Sequence, residues 1–297
     1  MRKLSYPGRS NVLAQNGMVA TSNPLSSMVA INVLQKGGNA VDAAIAASAV
    51  QAVVCPSATG IGGDCFAIIS MNGKKPIAVN GSGIAPKKAN LQFYKDNKIK
   101  NIGLTSPHSV TIPGAVHAWC SMHEKFGRID FKEVLSGAEN FARNGFPVHE
   151  VEALAWKENE TKLKKNPNSK RLFLNKNLSY SYGEVFKNIP LANTLRVISK
   201  NKIKGFYQSE ITKDMVKTLN KLGGLHTEED FYNQKTLFSK TITNSYRNLK
   251  IHQCPLNSPG LVVLMMMAMT EKLNIKKYHP SSFERYHLQA EISKICF

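Results

Sequence analysis

The strongest constraint on this chain lies between Gly37 and Pro56. Fifteen residues, AVDAAIAASAVQAVV, run from Ala40 to Val54 with Asp42 as their only charge. A helix that is apolar nearly all round has no face to offer water. It must lie centrally, and its small side chains let neighbouring elements come close. The flanking residues set its limits. Asn39 is a capping residue with Asp42 three positions on, as in a capping box, and Pro56 cannot continue the helix.

The surrounding pattern predicts helices packed against an antiparallel sheet, an α+β layered design. Asn23 and Pro24 open a helix whose buried face carries Leu25, Met28, Val29, Ile31, Val33 and Leu34, and Gly37-Gly38 closes it. After the turn GIGG (60–63), the strand-like FAIISM (66–71) and PIAV (76–79) flank Asn72-Gly73, a strong hairpin signal. Residues 90–106 read as a lysine-rich surface excursion, and 109–114 as a short strand and turn. Helices are predicted over 115–126 and, after Asp130, over 131–144, closed by Gly145. Residues 151–206 are mostly polar, helical with loops. Further on come a helix over 214–221, a short helix from Thr227, a strand over 247–253 and an apolar helix over 261–273. The last helix starts at Ser281 or Ser282, and its apolar period still runs at Phe297 without a C-cap. No repeat or low-complexity linker divides the chain, so residues 1–297 are expected to form a single domain.

Bulk properties exclude several classes. At 42% hydrophobic the chain can bury a substantial core. Five scattered cysteines without a CxxC pair disfavour a disulfide framework and fit a reducing compartment. No apolar h-region precedes Pro7, so a secretory signal is not expected and a cytoplasmic location is. The longest uncharged run, 43–63, contains Gln51, Pro56 and three glycines and reads as core, not as a membrane span. The net charge of +19 is concentrated beyond residue 70, and residues 155–204 carry twelve basic residues against three acidic ones. A nucleic-acid or anionic-surface role competes here with a solvated lysine-rich face. No nucleic-acid motif or aromatic interleaving accompanies the charge, so neither a nucleic-acid nor a membrane partner is expected.

The residues yield no convincing catalytic set on their own. The GIGG turn lacks the GK[ST] of a phosphate loop, and Cys65 stands at the last glycine position of GxGxxG. Tight backbone packing is the expected use of these glycines. His117, Cys120 and His123 recur every three residues on one predicted helix, but no carboxylate partner is evident nearby, so no metal site is expected. His149 and the other scattered histidines are individually uninformative. Ser199 and Lys202 match SxxK inside a lysine-rich stretch, where the match is close to chance, and Cys65 has the apolar neighbours of an inert thiol. No GxSxG elbow occurs.

A resemblance takes the analysis further. The run GMVATSNPLSS, VLQKGGNAVDAAIAASAV, GIGGDCFAII, NGSGIAP resembles the N-terminal part of the gamma-glutamyltransferase family. The similarity continues in order through VTIPGA (110–115), KFG (125–127), GAENFARNGF (137–146), GFY (205–207), GGL (223–225) with Asp230, the proline-serine-glycine loop at 255–260, and Ala290, Glu291 and Lys294. The GGNAVDAA and GIGG pair is specific; the later matches are short. The resemblance implies an N-terminal-nucleophile hydrolase with a four-layer αββα fold, here incomplete. In that family a precursor cuts itself before a threonine, whose hydroxyl then attacks an amide with its own α-amino group as base. No cofactor is implied.

Two departures shape the expectation. The family's T-T-H cleavage motif is not found in residues 1–297, so the chain is expected to be a truncated large-subunit part. The nucleophilic threonine would then lie beyond Phe297, the partner would be its own small subunit, and this piece alone would be inactive. The transpeptidases proper carry an arginine in R-E-x-A-P that binds the substrate carboxylate. Aligned on Ala85-Pro86, that substrate-binding position is Ser82. The NGSG form is similar to the branch with γ-glutamyl hydrolases and amidohydrolases of small acids such as oxamate. The expected substrate is thus a γ-glutamyl or other small-acid amide, hydrolysed or transferred. A degenerate, non-catalytic binding homologue is the competing reading.

Overall fold

The computed structural model describes residues 11–297; Arg2, Lys3 and Arg9, part of the basic N-terminus, lie outside them. The chain begins with α1 (Pro24–Gln35), α2 (Ala40–Val54), β1 (Cys65–Ile69), β2 (Ile77–Gly81), α3 (Leu91–Asp96), α4 (Ala115–Phe126) and α5 (Phe131–Asn144). Then come β3 (Phe146–Pro147), α6 (Glu150–Lys164), α7 (Pro167–Phe173), β4 (Val185–Phe186), α8 (Ile189–Tyr207), α9 (Glu210–Lys221) and α10 (Glu228–Tyr232). It closes with β5 (Leu237–Lys240), β6 (Ile242–Tyr246), β7 (Leu249–Gln253), α11 (Gly260–Lys272) and α12 (Phe283–Cys296). Two compact units emerge: residues up to Gly60 with 126–196, and 61–125 with 197–297.

In the first unit α2 is the central helix, packed against α1 and α5. Ala46, Ala49, Val50 and Val54 are fully buried, as an all-round apolar helix requires. Its start is fixed by a reciprocal capping box. The Asn39 side chain accepts from Val41 N and Asp42 N, and Asn39 N donates to Asp42 Oδ2 at 2.9 Å. The box also reaches the chain entering α5: Arg128 N donates to Asp42 Oδ2 at 3.0 Å, and Asn39 Nδ2 donates to Phe126 O at 2.6 Å. Asp42, the one charge of the helix, is completely buried, and its oxygens hold backbone donors that would otherwise be orphaned. The polar stretch after α5 is organised by aromatics. Phe186 on β4 meets Trp156 at 4.9 Å, Tyr180 at 5.1 Å and Phe146 at 5.9 Å, mostly edge to face. The lysines of α6 are exposed; Lys164 and Lys157 lie beside Glu160 at 2.7 and 3.8 Å.

In the second unit β1, β2 and β5 form one antiparallel sheet in that order. Cys65 pairs with Gly81 across β1 and β2, and Ile77 with Lys240 across β2 and β5. The expected hairpin is present: Lys74 N bonds Met71 O at 3.0 Å, and Gly73 takes φ +71°. A second hairpin, β6–β7, carries α11, which packs in turn on α12. Strands β5 and β6 have no counterpart in the sequence reading, nor do α3 and the two-residue pair β3–β4. The amphipathic burial that marks a strand is missing from β5, where only Phe238 is even half-buried.

Asp230 anchors α10 in this unit. Its carboxylate accepts from Thr227 N (2.9 Å) and Thr227 Oγ1 (2.7 Å) in a capping box, and from Lys87 N (3.0 Å). Burial opposes ionisation of Asp230, but these hydrogen bonds and nearby His226 together outweigh it and hold the carboxyl below its ordinary value.

Two outcomes are expected. Replacing Asp42 by Ala strands Arg128 N and Asn39 N and should lower unfolding stability by about 3 kcal/mol in urea denaturation; a loss below about 0.5 kcal/mol would contradict this account. Because the Asp230 pKa is depressed on folding, its contribution is present above the unfolded value near 3.8 and is lost as pH falls through the depressed one. The variant Asp230→Asn should therefore be less stable at pH 7 and show a flatter loss of stability below about pH 4.

Candidate functional site

Ser82 stands where β2 leaves its sheet, immediately after the Cys65–Gly81 pair. As the strand ends, Asn80 Oδ1 accepts from Ser82 N at 2.9 Å, a local side-chain-to-backbone bond of the kind Asn favours. Other hydrogen bonds bring distant segments to the same place. Asn257 Nδ2 donates to Ser82 Oγ at 2.8 Å, and Asn257 Oδ1 accepts from Asn80 Nδ2 at 3.0 Å. The buried Gln234 donates through Nε2 to Ser82 O at 3.1 Å, and Gly83 N donates to Asp64 Oδ1 at 2.8 Å. The NGSG turn, the end of the GIGG turn, the chain before β5 and the proline-serine-glycine loop thus converge on one half-buried serine. Within that last loop Ser258 is structural: its Oγ donates to Cys254 O at 2.7 Å and accepts from Gly260 N at 3.2 Å. That leaves the exposed Asn257 to meet Ser82.

This convergence requires bare backbone. A Cβ on Gly83 would collide with Ile112 O, one on Gly114 with Gly81 O, and one on Gly81 with Ala118 Cβ. The chain entering α4 therefore lies directly against the NGSG turn. Gly63 O accepts from Gly114 N (3.0 Å) and Ala115 N (2.9 Å), satisfying donors at the start of α4. Tight packing was expected of the whole GIGG turn. A Cβ on Gly60 or Gly62 would meet open space, so the close approach belongs to Gly81, Gly83 and Gly114 instead.

The cluster is polar and neutral apart from exposed Asp64. A hydroxyl and two amides can donate and accept hydrogen bonds, yet they cannot give the charge-assisted, two-pronged grip of a guanidinium. Among the described residues no lysine or arginine side chain bonds to Ser82, Asn80 or Asn257.

The other candidates do not assemble into chemistry. His117 Nδ1 is bonded to Thr236 Oγ1 at 2.8 Å and Ser121 Oγ at 3.2 Å, and burial holds its imidazole below the ordinary value. The Cys120 thiol is pushed up to about 12 by burial. Cys65 is pushed up to about 11, first by burial and then by Cys254, so neither thiol is an activated nucleophile. Ser199 is buried in α8, and Lys202 sits at a break in that helix with φ +49°. Among the described residues the only group of three His, Cys, Asp or Glu donors within ligating reach is Cys55, His149 and Glu152. Sequence reasoning missed it because 94 positions separate Cys55 from His149.

The loops that converge on Ser82 are those whose sequence resembles the gamma-glutamyltransferase family, of the N-terminal-nucleophile hydrolase class. The family model for gamma-glutamyltranspeptidase matches residues 26–297. A glutathione hydrolase-like YwrD proenzyme of Bacillus subtilis is 32% identical over 97% of this chain and 55% of its own length. The glutathione hydrolase proenzyme of Escherichia coli is 29% identical over 96% of this chain and 50% of its own. The chain therefore spans about half the length of these curated relatives. In solved structures, Helicobacter pylori gamma-glutamyltranspeptidase matches with TM-score 0.89 and 29% identity, covering 97% of this chain and 84% of that one. Cephalosporin acylase from Bacillus halodurans matches with TM-score 0.89 and 31% identity, covering 99% and 56%. The chain belongs to the gamma-glutamyltranspeptidase family.

The variant Gly83→Ala should lose about 3 kcal/mol of stability, since the opposing atom is backbone and cannot swing aside. The variant Ser82→Ala loses one half-exposed hydrogen bond and should lose less than about 1 kcal/mol. Thermal or urea unfolding of the two variants checks the contrast; equal losses would contradict it.

Proposed function

We propose that this chain is the large-subunit part of a self-cleaving threonine-nucleophile enzyme that hydrolyses or transfers the amide of a γ-glutamyl or similar small acid. The observation that carries the proposal is the match of residues 26–297 to the gamma-glutamyltranspeptidase family; the 2.8 Å bond joining Ser82 to Asn257 supports its substrate-binding part, at the position aligned with the family's carboxylate-binding arginine. The relatives' names as proenzymes, and this chain's coverage of about half their length, support a second portion that completes the enzyme. In that reading residues 1–297 act as one large-subunit piece whose partner is its own small subunit.

The proposed division of labour follows from chemistry. The threonine of the small subunit forms the acyl bond with the substrate carbonyl, its α-amino group takes the hydroxyl proton, and the amine leaves; water or a second amine then takes the acyl group. Ser82, Asn80 and Asn257 orient the polar end of the substrate through neutral hydrogen bonds. Such a subsite discriminates weakly in favour of the full charge of a γ-glutamyl α-carboxylate, and so suits other small-acid amides as well. A solved relative named a cephalosporin acylase favours that breadth. All five cysteines are free, which supports a cytoplasmic setting, and no helix among the described residues is long and apolar enough to cross a membrane.

Incubating a complete precursor is expected to give two fragments, the smaller beginning with threonine by N-terminal sequencing. The 297-residue chain alone is expected to leave γ-glutamyl-p-nitroanilide intact. A precursor that stays whole, or turnover by the 297-residue chain, would overturn the proposal.

A further inference from the structure

We infer that Cys55, His149 and Glu152 form a zinc site in the first unit, with three protein ligands and a fourth position open to water. Cys55 ends α2, while His149 and Glu152 lie at the N-cap and in the first turn of α6. Their donor atoms all fall within 4.8 Å of one another. Cys55 Sγ and His149 Nε2 are 3.6 Å apart. A Zn–S bond of about 2.3 Å and a Zn–N bond of about 2.0 Å at a tetrahedral angle place sulfur and nitrogen about 3.5 Å apart, close to that separation. A thiolate, an imidazole and a carboxylate are also the donor types zinc takes.

A separate observation points to a cation. Glu152 is 2% exposed, yet among the described residues no lysine, arginine or histidine forms an ion pair with it. Among those residues its carboxylate accepts from Ser57 N and Ser57 Oγ, each at 2.8 Å. Two oxygens carry about four lone-pair sites, so these bonds orient the group and leave it able to bind a metal. Buried carboxylates are paired with cations or coordinate metals, because an uncompensated charge is expensive to desolvate.

The surroundings are built to hold the three donors still. Cys55 is 5% exposed, and Asn23 Nδ2 points at its sulfur from 3.5 Å. His149 follows Val148, whose N and O are fixed by Glu184 O and Gly183 N, each at 2.8 Å. As the N-cap of α6, His149 makes no side-chain capping bond, so its ring is not committed to the helix. It is half-buried, which gives the metal and a water a way in. Binding would release the Cys55 thiol proton to solvent, and the thiolate and carboxylate would balance the two charges of Zn²⁺. The site would pin the end of α2 to the start of α6.

The test uses the full 297-residue chain, stripped with chelator and titrated with Co²⁺ and with Zn²⁺. One equivalent should bind, Co²⁺ should give a thiolate-to-metal charge-transfer band, and Zn²⁺ should raise Tm. The variants Cys55→Ser and His149→Ala, shown folded by circular dichroism, should bind about 100-fold or more weakly, and Ser57→Ala about 10-fold more weakly. Cys65→Ser, in the other unit, should keep the band. If the wild-type chain shows neither the band nor a Tm shift, or if folded Cys55→Ser retains the band, the site is refuted; the wild-type result stands even should a variant fail to fold.

Discussion

Backbone lying directly on backbone is the constraint on which the candidate site depends. At Gly81, Gly83 and Gly114 there is no room for a Cβ, and each would meet a backbone oxygen or a fully buried alanine methyl. Because β2 can come this near to the chain entering α4, its end is held where Asn257, Gln234 and Asp64 reach it. Ser82 therefore does not decorate a free loop. It is carried on a turn whose position is set by packing that tolerates almost no change, while its own side chain remains half-exposed and free to vary. A rigid support with a replaceable polar group at its tip allows specificity to change without rebuilding the fold.

A similar economy operates in the first unit. Asp42 is the only charge in α2, and its oxygens accept from backbone donors at its own cap and at Arg128. Buried charge is tolerable there because hydrogen bonds surround it. Glu152 is the contrasting case, buried and oriented by Ser57 but with no cation paired to it among the described residues. The same physical rule that explains Asp42 makes Glu152 the feature most in want of a ligand.

How legible all this is in the sequence depends on the range of the interactions. Helix α2 has the bounds implied by Asn39, Asp42 and Pro56, and α4 and α5 also fall as predicted, because caps and glycine stops are local signals. Strands β5 and β6 are invisible: β5 pairs with the distant β2, and although β6 pairs with its neighbour β7, the side chains of both are mostly exposed. Ser82 was found through resemblance, with Gly81 and Gly83 beside it as unexplained glycines. Its partner Asn257 lies 175 positions away, and no periodicity connects them. His117, Cys120 and His123 recur every third residue in α4, where His117 bonds Thr236 and Cys120 is buried, whereas His149, with no local pattern, sits beside a buried thiol.

On the proposed function, the neutral Ser82 cluster takes the place of the family's carboxylate-binding arginine. The most direct test of that claim is the KM of the complete, self-cleaved enzyme for γ-glutamyl-p-nitroanilide, compared between wild type and Ser82→Arg. The account predicts that the arginine lowers KM about tenfold or more while kcat changes little, since it adds a charge-assisted grip remote from the reacting bond. A KM that is unchanged or raised in a folded, self-cleaved Ser82→Arg enzyme would contradict it.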